Sequence, residues 1–104
     1  MIVTRTNRFE SLAKRLRKRN RRIEDDLRGQ LVEKLERGEL PGDRAPETHG
    51  CIKVRVRNSS NGKGSSGGYR VIYRIENGVA VLLLITEKSD RLRDLPFTDV
   101  LKNI

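Results

Sequence analysis

The sequence predicts an α+β domain, in which an N-terminal helical hairpin packs on a small, mostly antiparallel β-sheet and a short helix ends the chain. Two observations carry this. Apolar residues recur at helical spacing between positions 9 and 35, and three strand-length apolar or alternating runs follow between positions 51 and 87. Two of those runs are joined by Asn77-Gly78, the strongest short hairpin signal. With 104 residues, the chain reads as a single domain over 1–104, large enough for one modest core and too small for two.

The elements follow in order. Ile2 to Arg5 is a short β-branched run and reads as a strand. Asn7 and Glu10 have the spacing of a capping box, in which each side chain satisfies backbone N–H groups at a helix start. Phe9, Leu12, Ala13 and Leu16 then share one face, which predicts a first helix over 8–19. Asn20 breaks it. Ile23, Leu27, Leu31 and Leu35 repeat every fourth residue up to Gly38, a residue suited to the left-handed conformation that ends a helix. Pro41, Gly42, Pro46 and Gly50 punctuate the next segment, which reads as an irregular connector.

Beyond the connector, CIKVRVR alternates, sending Ile52, Val54 and Val56 to one face and Lys53, Arg55 and Arg57 to the other. GKGSSGG then precedes YRVIYRI and, past the turn, VAVLLLITE. A two-residue turn predicts a register with Glu76 opposite Val79, Tyr73 opposite Leu82, Arg70 opposite Ile85 and Gly68 opposite Glu87. Tyr69, Val71, Tyr73, Leu82 and Leu84 would face the helices. Arg70, Ile72, Arg74, Val81, Leu83, Ile85 and Glu87 would share an open face with the strand cations. The tail DLPFTDVLKNI reads as a short helix starting at Pro96 or Thr98.

Composition narrows the function. The 23 Lys and Arg against 14 Asp and Glu leave a formal charge of +9, which favours a polyanionic partner: RNA, DNA or an acidic protein segment. No apolar run approaches the ~20 residues needed to span a bilayer, and MIVTRTNRFE lacks the apolar core of a signal peptide. The expectation is a cytoplasmic protein with no membrane partner. Cys51 and His49 are the single cysteine and histidine, so neither an internal disulfide nor a metal site is expected, and no cofactor. GKGSSGG is no P-loop, because no Gly-Lys-Thr/Ser opens a helix there.

The residues also carry a resemblance. KVR, the glycine-rich loop, GGYRVIY, the Asn-Gly turn and LLLITEKSD form a specific series. With the order strand, two helices, three antiparallel strands, the chain resembles the RelE/ParE toxin superfamily. Within it, Gly62 to Tyr73 matches the GKGxSGGxRVIY signature of a HigB-like branch. The resemblance spans nearly the whole chain and implies a RelE-like, microbial-ribonuclease-like fold.

It further implies the toxin of a type II toxin–antitoxin system. Such a protein is a ribosome-dependent mRNA endonuclease that cleaves through the RNA 2′-hydroxyl without metal, stops translation and is neutralised by a cognate antitoxin. The implied partners are that antitoxin, the ribosome with its mRNA, and operator DNA only through the antitoxin complex. Lys53, Arg55 and Arg70 fall where ribonuclease members carry phosphate-contacting and acid–base groups, with Arg57 and Lys63 as further RNA contacts. Relatives often place Arg, His or Tyr near the C-terminus; here TEKSDRLRDLPF offers Glu87 and Lys88 for catalysis and Arg91 for RNA. Lys14, Arg17, Lys18 and Arg21 in KRLRKRNRR are either a solvated helix face or an RNA backbone contact. Two other functions stay open: a gyrase-inhibiting toxin in the ParE manner, and a nucleic-acid-binding regulatory partner without toxicity.

Overall fold

Five strands make one mixed sheet in the computed structural model, which describes residues 1–44, 50–59 and 68–87. They are β1 (Ile2–Arg5), β2 (Asp43–Arg44), β3 (Ile52–Val56), β4 (Tyr69–Glu76) and β5 (Val79–Glu87). Their order is β1-β5-β4-β3-β2, with β1 parallel to β5 and the other neighbours antiparallel. The α+β class is as the periodicities predict. The two-residue β2 is an addition, lying in the segment read as irregular connector. The expected C-terminal helix and the glycine-rich segment up to Gly67 lie outside the described residues.

The first helix, α1 (Asn7–Arg19), starts one residue earlier than the capping box predicts. Thr6 is its N-cap: the hydroxyl accepts the Phe9 N–H at 3.1 Å, satisfying one of the orphan donors of the first turn. Asn20 ends the helix, and its buried side chain donates to the Tyr69 hydroxyl.

The second helical segment runs without a break as α2 (Ile23–Leu27), a π-helical turn (Arg28–Val32) and α3 (Glu33–Glu36). Its leucine spacing explains the π-turn. In an α-helix a four-residue repeat drifts around the axis by about 40° per step, and a wider i→i+5 turn takes up the drift. Ile23, Leu27, Leu31 and Leu35 are thus all fully buried. At the far end Gly38 donates to the Leu35 carbonyl and Glu39 to the Lys34 carbonyl, each at 2.9 Å. This is the paired bonding of a Schellman cap.

Asn77 and Gly78 both have positive φ, 51° and 77°, as a type I′ hairpin turn requires. Pairing follows the predicted register from Glu76–Val79 to Tyr73–Leu82 and then slips by one residue, so that Ile72 faces Leu84, Arg70 faces Thr86 and Tyr69 faces Glu87. Leu83 is the extra residue of a β-bulge. The physical reason is the run Leu82-Leu83-Leu84-Ile85, in which every side chain is buried. A regular strand would send alternate members to opposite faces; the bulge sends Leu82 and Ile85 into the main core and Leu83 and Leu84 into a second cluster with Cys51 and Ile72. The face opposite the helices is therefore not open at its centre: Ile72 and Leu83 keep the predicted face but are buried, and Leu84 and Ile85 exchange the faces expected of them.

Thr6 also secures the bulge. Its N–H donates to the Leu82 carbonyl at 3.1 Å and its hydroxyl to the Leu83 carbonyl at 3.3 Å. Thr6→Ala is expected to cost about 1–2 kcal/mol, combining a lost cap with an unsatisfied carbonyl. Urea midpoints check this, with Thr6→Ser recovering most of the loss.

Candidate functional site

β3 and β4 pair so that Arg55 sits directly opposite Arg70, and β2 places Asp43 directly opposite Lys53. Directly opposed residues share a sheet face. All four, with Gly42 and Val54, line a cleft of about 520 Å³. It lies on the side of the sheet away from the helices, because Val54, Val56, Tyr69 and Val71 turn the other way into the main core. Sequence alternation correctly groups Lys53, Arg55 and Arg70.

Arg55 is exposed and Arg70 half-buried. Among the described residues neither guanidinium, nor the Asp43 carboxylate, has an ion pair or side-chain hydrogen bond. Opposed like charges weaken a strand pair. Nothing in the core needs two arginines there, whereas an anion between them would relieve the repulsion and accept bidentate bonds from both forks.

The cleft's other wall is held by backbone. Gly42 has φ +101°, and a Cβ at this position would fall 2.4 Å from the Lys53 carbonyl oxygen and 2.9 Å from Val54 Cβ. Only glycine lets the chain lie flush on β3 at this point. Next to it the Tyr73 hydroxyl, from within the core, donates to the Pro41 carbonyl at 2.6 Å. Burial pushes the Tyr73 hydroxyl up to about 12, so it stays a donor at every physiological pH.

Glu87 does not join this group. The bulge turns it to the helix side opposite Tyr69, where it pairs with Arg19 at 2.8 Å. The expected Arg70–Glu87 proximity is thus corrected: one inserted residue exchanges the faces of everything beyond it. Thr86 takes the place beside Arg70, buried and with its hydroxyl unpartnered among the described residues.

Arg57 lies past the end of β3, exposed, its backbone clasped by the Gln30 amide at 2.7 and 2.9 Å. Lys14, Arg17, Lys18 and Arg21 are exposed on and just after α1, on the opposite side of the sheet from the cleft. They form a separate basic surface. Lys63, Lys88 and Arg91 lie outside the described residues. The two ends flanking residues 60–67 are both tied to the helical side: Ser59 bonds Asp26 and Arg22 at 3.0 and 3.2 Å, and Tyr69 accepts from Asn20.

Sequence reasoning missed Asp43 and Thr86. Asp43 sits in a Pro-Gly-Asp turn pattern with no strand periodicity, and Thr86 was hidden by the bulge. Among the described residues no group of three His, Cys, Asp or Glu side chains is placed to hold a metal ion, and no helix is long and apolar enough to cross a membrane. No protein-family model matches the chain, and no curated protein matches it.

Proposed function

We propose that the chain is a toxin of the RelE/ParE superfamily, HigB-like branch, with a helical hairpin on a RelE-like sheet. It acts as an mRNA endonuclease on translating ribosomes and is held inactive by a cognate antitoxin. One observation carries the reading beyond the resemblance: Arg55 and Arg70 oppose each other in a cleft with Lys53, and neither arginine has an anionic partner among the described residues.

The chemistry suits these groups. RNA supplies its own nucleophile in the 2′-hydroxyl, so the protein must stabilise the charge that grows on the phosphorane and protonate the leaving 5′-oxygen. The two guanidinium forks perform the first task. Lys53, a compact charge beside other cations, performs the second. The surplus of +9 draws the protein to ribosomal and messenger RNA, and an acidic antitoxin segment would compete for the same field.

Inducing the chain in cells and mapping transcript 5′ ends tests the reading. The expected result is new ends inside translated codons, carrying 5′-hydroxyls, and their suppression by the antitoxin. Growth arrest with intact messages and DNA-damage signalling would instead mark a gyrase inhibitor. Neither effect would leave only a nucleic-acid-binding partner.

A further inference from the structure

We infer that Asp43 is the general base of this cleft, the group that takes the proton from the RNA 2′-hydroxyl. The inference rests on the endonuclease reading and names the catalytic role that reading leaves unfilled. Glu87, the carboxylate pointed to by the linear sequence, is turned to the helix side and engaged with Arg19. Among the described residues that line the cleft Asp43 is the acidic one, and it shares a face with Lys53 through their direct pairing.

Three features fit a base rather than a charge-balancing residue. Asp43 is exposed and makes no ion pair or side-chain hydrogen bond among the described residues, so its lone pairs are open to a substrate. Its backbone is nonetheless placed firmly, by the close passage of Gly42 over β3 and by the Tyr73 bond to Pro41. It shares the cleft with the three cations, and is paired directly with Lys53, so a phosphate held there brings its ribose to the carboxylate's side of the sheet.

The step balances. The 2′-hydroxyl proton passes to the Asp43 carboxylate as the 2′-oxygen forms its bond to phosphorus. Arg55 and Arg70 hold the non-bridging oxygens of the phosphorane. The bond from phosphorus to the 5′-oxygen then breaks, and that oxygen takes a proton from the Lys53 ammonium. The products are a 2′,3′-cyclic phosphate and a 5′-hydroxyl. Asp43 returns its proton, and Lys53 regains one, by exchange with water.

Single-turnover cleavage on ribosomes programmed with a defined message tests the assignment. Asp43→Asn is expected to slow cleavage by ~10²–10⁴-fold, the range for loss of a positioned general base, and to flatten the acid limb of the pH–rate profile. Asp43→Glu keeps the carboxylate and should restore that limb. Affinity for a message carrying 2′-O-methyl at the cleavage site should be equal or tighter in Asp43→Asn, because a negative charge has left a phosphate site. A wild-type rate in Asp43→Asn overturns the assignment, and so does a rate lost in Glu87→Gln but kept in Asp43→Asn. A change confined to affinity reduces Asp43 to charge balance and likewise overturns it. If the unmodified chain cuts no message at all, the endonuclease reading falls and this inference falls with it, a result distinct from the other three.

Discussion

Arg70→Ala is expected to reduce message cleavage by roughly 10²-fold or more, the loss seen when a preorganised charge-stabilising donor is removed. Stability should change by no more than about 0.5 kcal/mol, as at an ordinary surface position. Two structural facts support that separation. Arg70 faces the cleft while its neighbours Tyr69 and Val71 face the core, so truncation leaves the core packing in place. The packing lost along its aliphatic stem is offset by relief of its repulsion with Arg55, directly opposite.

Arg55→Ala should behave alike. Arg74 provides the contrast: it lies on the same strand, nearer the turn, paired with Glu76 at 2.7 Å and outside the cleft. Arg74→Ala should leave cleavage within about twofold, since it removes no cleft group. Cleavage kinetics and urea denaturation on the same preparations check both halves. Unmodified cleavage by a folded Arg70→Ala protein would remove the arginine pair from the chemistry.

Tyr73→Phe should reshape the alkaline stability of the protein. Tyr73 is fully buried, and burial raises its hydroxyl to about 12, against about 10 in an unfolded chain. Between those values the unfolded chain has released a proton that the folded one retains, so the unfolded state gains. The contribution is therefore complete below pH 10 and is lost as pH rises toward 12, at up to about 1.4 kcal/mol per pH unit and then no further.

Phenylalanine cannot ionise and removes most of that slope. It also strands the Pro41 carbonyl, at about 1–2 kcal/mol near neutral pH. Urea midpoints measured from pH 7 to 11.5 should then show two curves that start apart and converge. Some slope remains in the variant, because burial also raises Tyr69. Parallel curves would show that Tyr73 ionises no differently folded and unfolded. Because the Tyr73 hydroxyl steadies the backbone leading to Asp43, the variant should also cleave more slowly at neutral pH.

Much of the fold was legible because its signals are local. The spacing of Phe9, Ala13 and Leu16 specifies a helix face, the alternation from Ile52 to Arg57 specifies a strand with one cationic side, and Asn77-Gly78 specifies a tight hairpin. The four-residue leucine spacing marked the second helical segment, while the π-turn that keeps a strict repeat of four on one face is a feature of the structure. The same signals put Lys53, Arg55 and Arg70 on one face of the sheet.

What the linear sequence could not supply was any decision that depends on two distant segments at once. Leu82 to Ile85 are all apolar, so nothing within the strand says which face each should take. That choice belongs to the two buried clusters that receive them and to Thr6, about eighty positions away in sequence, which satisfies the carbonyls at the bulge. The one-residue slip then moved Glu87 away from Arg70 and put Thr86 there. Asp43 reached the cleft in the same way, through a glycine contact with β3 and a tyrosine hydroxyl from β4. Side-chain periodicity fixes orientation only while the ladder stays regular; where it is interrupted, packing between elements remote in sequence decides which residues meet, and here it decided which carboxylate stands beside the arginines.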